Sequence, residues 1–141
     1  MAVTSTAHAK WTGALKEGKG HVRLASGAHE GEYTFASRFE TGKGTNPEEL
    51  IAAAHASCFS MQLSGLLTAD GHPPTSLDTR ADVTIVAGEG ITGIVLEVTG
   101  VVPGIDQAKF TEIAAKAKEI CPVSRALAGV KDITVKALLT G

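Results

Sequence analysis

The chain has little cysteine, few aromatic residues and no strong charge of either sign. Two cysteines in 141 residues are too few for a disulfide-stapled scaffold. They read either as two buried packing residues or as a redox pair. A net charge of -2 without a basic block lacks the electrostatic footprint of a nucleic-acid-binding protein. No uninterrupted apolar run reaches membrane-spanning length, and the first ten residues lack the apolar core of a secretory signal. A cytoplasmic location, where thiols are kept reduced, is the expectation. There is no internal repeat and no low-complexity segment, and Gly18 to Gly20 and Gly42 to Gly44 lack the spacing of a phosphate-binding loop. Residues 1–141 read as a single domain long enough to bury a core.

What is present is organised around the stretch from Asn46 to Leu63. Asn46 suits an N-cap, Pro47 the first helical position, and Glu49, three residues after the cap, can close a capping box. Breaking signals come only at Asp70-Gly71-His72-Pro73-Pro74, so the helix should run roughly 24 residues, about 36 Å. A compact chain of this size has a radius of gyration of only about 14 Å, so such a helix crosses the whole domain. Leu50, Ile51, Ala54, Phe59, Met61, Leu63 and Leu66 spread around its circumference, which demands cover on several sides. One small sheet supplies too little, and an intimate homodimer is the natural completion.

Around that helix the chain alternates short strands and turns. His8 to Leu15 and His21 to Ala25 read as strands on either side of a turn at Gly18-Lys19-Gly20. Tyr33 to Glu40 alternates, with Tyr33, Phe35 and Phe39 on one face, and is expected to be the clearest strand of the first third. After Pro73-Pro74, Asp78 to Val86 and Ile91 to Val102 form a hairpin. Asp106 to Ile120 carries Phe110, Ile113, Ala114, Ala117 and Ile120 at helical spacing. Pro122 must break that helix at Cys121, a short helical turn follows to Leu127, and Lys131 to Leu138 closes the chain as a strand. This order predicts an α+β domain.

Few residues point to chemistry. Cys58 lies about three turns inside its helix, where the helix dipole has faded, so it needs a cation from elsewhere to become a thiolate. Cys121 precedes Pro122 at an N-cap position, where free backbone N–H groups favour a thiolate. Only the fold can bring the two sulfurs together. Glu48 and Glu49 both suit the positive end of the helix, and with Glu49 assigned to the cap, Glu48 has no local task. About 15 Å of helix separates Glu48 from Cys58, so cooperation between them implies two paired helices from two chains. Arg38 reads as solvated or paired with Glu40. His55, three residues before Cys58, makes an H-x-x-C pair that suits a base or a metal ligand, but no second such pair exists to complete a metal site.

The run Arg38-Phe39-Glu40, then Lys43 to Met61 with its Asn46-Pro47-Glu48-Glu49 opening and His55-Ala56-Ser57-Cys58-Phe59 centre, resembles the osmotically inducible protein C (OsmC) family. So do Pro103-Gly104-Ile105-Asp106 and Cys121-Pro122-Val123-Ser124. The resemblance spans Trp11 to the last strand and is closer to OsmC proper than to the sister group of organic hydroperoxide resistance proteins. It implies the OsmC/Ohr-like α+β fold, with antiparallel sheets wrapped around long central helices in an entwined homodimer. It also implies a thiol-dependent peroxidase that reduces organic hydroperoxides, and hydrogen peroxide less efficiently, in stress defence. Cys58 is then the peroxidatic cysteine, Cys121 the resolving cysteine that forms a disulfide with it, and Arg38 with Glu48 the pair that activates Cys58. No metal, flavin or haem is implied, and an external dithiol of lipoyl type is the implied reductant. Phe59 and Met61 would favour hydroperoxides with organic tails. Two other readings fit the residues: a non-catalytic dimer that binds an apolar ligand, and a redox sensor.

Overall fold

Three short strands, β1 (Ala7–Thr12), β2 (Lys19–Leu24) and β3 (Glu30–Tyr33), open the chain as an antiparallel sheet in that order. In this computed structural model, which describes Met1–Gly141, they belong to a first unit, Met1–Leu50, followed by a second, Ile51–Gly141. Lys19 and Gly20 begin β2 rather than forming a turn. Gly20 faces Tyr33 across the ladder, and a Cβ on it would lie only 2.3 Å from the Tyr33 ring, so the aromatic lies flat over a residue without a side chain.

The alternation of Tyr33 to Glu40 predicts a strand, but the structure has a one-turn helix, α1 (Phe35–Phe39). The cause is local. Ser37 N–H donates to Thr34 Oγ1 at 3.0 Å while Thr34 N–H donates to Ser37 Oγ at 2.8 Å, a reciprocal capping box. The aromatic spacing read as one strand face becomes an i, i+4 pair, with the Phe35 and Phe39 rings 5.1 Å apart. Ser37 is buried, and its hydroxyl donates to Thr45 O at 2.7 Å, which ties α1 to the loop before the long helix.

That helix, α2 (Pro47–Ala69), has 23 residues and follows the expected span. Asn46 caps it by accepting from Glu49 N–H at 2.8 Å. The Glu49 carboxylate does not return to the cap backbone; it accepts from Thr45 Oγ1 at 2.7 Å.

In the second unit, β4 (Ser76–Val86) and β5 (Gly90–Val101) form the expected antiparallel hairpin. The chain then crosses through α3 (Gln107–Ile120) and α4 (Pro122–Ala126) to β6 (Asp132–Leu139), which lies parallel to β5. The sheet is therefore mixed, because a helical crossover returns the last strand in the same direction as β5. Phe59, Leu63 and Leu67 of α2 meet Leu96 and Val98 of β5 and Phe110, Ile113, Ala114 and Ala117 of α3 in one core. Only one stripe of α2 is used there. Ala53, Ala54, Ser57, Met61 and Gly65 remain exposed. By length and composition alone α2 could cross a membrane, with 22% of its apolar window buried. Its buried stripe is nevertheless part of a globular core.

Replacing Ser37 tests the capping account. Ser37→Ala leaves Thr34 N–H and Thr45 O without their partner, and each unmade buried hydrogen bond costs about 1–3 kcal/mol. Urea denaturation should show a lower midpoint, with Ser37→Thr retaining most of the stability; an unchanged Ser37→Ala midpoint would refute the role given to this hydroxyl.

Candidate active site

Pro122 shapes the sulfur centre. A residue before proline is driven out of helical geometry, and Cys121 has φ -56° and ψ 123°, ending α3 and starting α4. Its carbonyl still accepts from Arg125 N–H at 3.0 Å, so the chain turns directly from one helix into the next. Cys121 and Ser124 thus stand three residues apart at the start of α4, as His55 and Cys58 stand three apart on α2. Two contacts result. Cys58 Sγ and Cys121 Sγ are 3.3 Å apart, and His55 Nε2 and Ser124 Oγ are 2.6 Å apart. Both cysteines are free thiols, so the fold brings the two sulfurs together without a bond between them.

The two sulfurs differ in access and in charge. Cys121 is fully buried, whereas Cys58 is partly exposed. Burial pushes the Cys58 thiol up, and neighbouring Cys121 adds to this, against one lowering contact from Val123 N–H. Burial also raises Cys121, but Ser124 N–H, the Cys58 thiol, the Ser124 hydroxyl and Val123 N–H together outweigh it and hold Cys121 below the ordinary thiol range. Within one chain, Cys121 is the sulfur prepared to carry negative charge. Cys58 still needs a cation.

Arg38 and Glu48 form the second cluster, inside the first unit. Arg38 Nη2 donates to Glu48 Oε1 at 2.8 Å, and Nε lies 3.2 Å from both carboxylate oxygens. The hydrogen bond to Glu48, and then its charge, hold the guanidinium pKa above its ordinary value despite partial burial. Arg38 is thus paired with Glu48 and not with Glu40, and it stands on α1, not on a strand. Glu48, rather than Glu49, is the carboxylate that grips it. The carboxylate side chain is 7% exposed and the guanidinium 38%, so the buried member anchors and the outer member presents.

His55 Nε2 is taken by Ser124 Oγ. One expectation changes. Phe59 cannot wall a substrate site, because it is wholly enclosed in the core; Met61 is 78% exposed on the open face of α2. Ser124 was not singled out by the sequence, since nothing in a lone serine marks it as facing a histidine 69 positions away.

Known proteins resemble this chain in sequence and in fold. The family described as OsmC-like protein matches residues 40–136. Peroxiredoxin OsmC of Escherichia coli (strain K12) is 50% identical over 131 residues, covering 90% of this chain and 92% of its own. The organic hydroperoxide resistance protein of Xanthomonas axonopodis pv. citri is 37% identical over 95 residues, 67% of each chain. Among solved structures, OhrB of Bacillus subtilis, an organic hydroperoxide resistance protein, superposes with a TM-score of 0.71 at 27% identity over 96% of this chain and 98% of that one.

His55 yields a pH prediction. Burial holds its pKa below the ordinary value, so from about pH 6.5 downward the unfolded chain takes up a proton there that the folded chain refuses. The stability it contributes is complete above that pH and falls as pH decreases towards the folded pKa. Denaturation midpoints followed from about pH 8 to about pH 5 should drop more steeply for the wild type than for His55→Gln, which cannot titrate. Parallel curves would contradict a neutral buried imidazole.

Proposed function

The chain belongs to the OsmC-like protein family, and from that membership and the contact between its two thiols we propose that it is a thiol-dependent peroxidase that reduces organic hydroperoxides to alcohols. The observation that carries this reading is the 3.3 Å approach of Cys58 Sγ to Cys121 Sγ, with only Cys58 open to a substrate. A disulfide needs about 2.0 Å, so closing the bond requires little more than one ångström of movement.

The chemistry runs on sulfur alone. The Cys58 thiolate attacks the distal peroxide oxygen, the O–O bond breaks, and the alkoxide leaves and takes a proton to become the alcohol. Cys58 is now a sulfenic acid. The Cys121 thiolate attacks Cys58 Sγ, the S–O bond breaks, and hydroxide leaves and is protonated to water as the disulfide forms. Two electrons pass from the sulfur pair to the peroxide. No metal, flavin or haem enters either step, and an external dithiol returns the disulfide to two thiols by exchange.

Arg38 supplies the cation that Cys58 lacks. Glu48 occupies Nε and Nη2, leaving Nη1 to hydrogen-bond the thiolate and the peroxide oxygens. The spacing of Glu48 and Cys58 along one helix, about 15 Å, favours a site in which Arg38 and Glu48 of one chain serve Cys58 of a second. The exposed small and apolar face of α2 (Ala53, Ala54, Ser57, Met61) supports a homodimer in which two such helices pair. Met61, one turn along from Cys58, would then meet the organic part of the substrate. The site is read as cytoplasmic, where a dithiol reductant is at hand.

A thiol count tests the core of this reading. One equivalent of cumene hydroperoxide should remove both thiols within seconds, and non-reducing peptide mapping should find a Cys58 to Cys121 disulfide. Persistence of both thiols would end the peroxidase reading. Cys58→Ser should abolish turnover, while Cys121→Ser should react once and then over-oxidise at Cys58.

Arg38→Met should slow the first step by about 10²-fold or more, the loss typical of one transition-state donor. Mixing inactive Arg38→Met with inactive Cys58→Ser discriminates the two arrangements. If Arg38 acts on the partner, mixed dimers hold one complete site and activity returns; if it acts within its own chain, the mixture stays inactive.

A further inference from the structure

The peroxidase reading uses four residues and leaves a fully buried histidine without a task. His55 has no exposed surface, its Nε2 lies 2.6 Å from Ser124 Oγ, and its Nδ1 is buried with no partner. The direction of this hydrogen bond follows from counting protons. If Nδ1 carried the proton, a donor would be buried unpaired, and the single Ser124 hydroxyl proton would be spent on Nε2. If Nε2 carries it, only a bare lone pair is left at Nδ1, and the Ser124 proton is free to point elsewhere. Unsatisfied buried donors are the rarer defect, which favours the second arrangement. Ser124 stands one turn beyond Cys121 at the start of α4, and its hydroxyl and N–H are both among the groups that hold the Cys121 thiol below its ordinary range.

We propose that His55 and Ser124 are positioning residues for the resolving step: neutral His55 donates from Nε2 to Ser124 Oγ, which turns the Ser124 hydroxyl proton onto Cys121 Sγ and holds that sulfur, as the thiolate, against Cys58. No proton is transferred along this chain. The histidine fixes a rotor, the rotor supplies a hydrogen bond, and the hydrogen bond keeps the nucleophile charged and aimed. The geometry suits the task because the histidine contact and the sulfur contact are formed by the same two helices at the same three-residue spacing, so one registers the other. Burial, which disfavours the imidazolium, keeps the His55 ring neutral.

This inference rests on the peroxidase reading, and its test separates the two. Rapid-quench alkylation of the reduced full-length protein, over a series of cumene hydroperoxide concentrations, resolves a first step whose rate rises with peroxide from a disulfide-closing step that does not depend on it. Ser124→Ala and His55→Phe should slow closing about tenfold or more, the effect of losing one hydrogen bond to a charged group, with the first step within about twofold. Ser124→Thr, which restores a hydroxyl, and His55→Gln, which restores a donor at the Nε2 position, should recover most of the closing rate. Closing that is unchanged in Ser124→Ala, or slowed equally in His55→Gln and His55→Phe, would overturn the proposal, as would both steps falling together. A wild type that consumes no peroxide would count against the peroxidase reading instead. The positioning inference is then still tested without peroxide, by following thiolate absorbance of Cys121 in a Cys58→Ala background. Adding Ser124→Ala should raise its titration midpoint by about one pH unit, and an unmoved midpoint would overturn the proposal.

Discussion

Pro122 is the constraint on which the sulfur centre depends. It denies Cys121 a helical backbone, and three consequences follow from that one restriction. The α3 helix ends with Cys121 at its boundary; a new helix begins at once, so Ser124 stands one turn beyond the sulfur; and the amides of Val123 and Ser124 are left free to face it. An uninterrupted helix would have taken those amides for its own ladder. The thiolate preference of Cys121 is therefore a property of chain geometry, with no cationic side chain among its causes.

Charge in the two units is handled by opposite means. Around the sulfurs there is no formal counter-ion, and anionic character is supported by dipoles and hydrogen bonds. Around Glu48 the solution is a direct ion pair, with the carboxylate enclosed and the guanidinium partly outside. A buried carboxylate alone would be expensive, and a three-contact Arg partner offsets that penalty while remaining a cation on its outer side. Cys58 stands between these regimes in chemical terms: it is the open sulfur, yet burial and its neighbour disfavour its thiolate within a single chain. That mismatch is the physical reason the proposed mechanism gives it an arginine.

Much of this was legible in the sequence where local rules decide. The span of α2 followed from Asn46-Pro47 at one end and Gly71-Pro73 at the other, the hairpin from its alternation, and the break at Cys121 from Pro122. The strand expected over Tyr33 to Glu40 was misread because Phe35 and Phe39 fit both a period of two and an i, i+4 pair, and the Thr34 to Ser37 capping box outweighed the alternation. Alternation also carries no direction, so the parallel return of β6 beside β5 was invisible. At the site, family resemblance brought Arg38 together with Glu48, since Arg38 has no periodicity that distinguishes it from a solvated arginine. The contact between His55 and Ser124 joins distant segments and had no local signature at all.

The proposed peroxidase faces a competition that its geometry addresses. Once Cys58 is a sulfenic acid, a second peroxide can oxidise it further, at a rate that grows with peroxide concentration, whereas Cys121 attacks at a rate fixed by the fold. The fixed rate prevails only if the nucleophile is already charged and already near. Reacting atoms held about 3–3.5 Å apart gain most of the intramolecular advantage, and the two sulfurs stand at 3.3 Å. Full burial of Cys121 then serves a purpose beyond packing. It denies the peroxide access to the more ionisable thiol, so that the reactive anion is spent on Cys58 and not on substrate. Separating access from charge in this way assigns the two sulfurs their order of reaction.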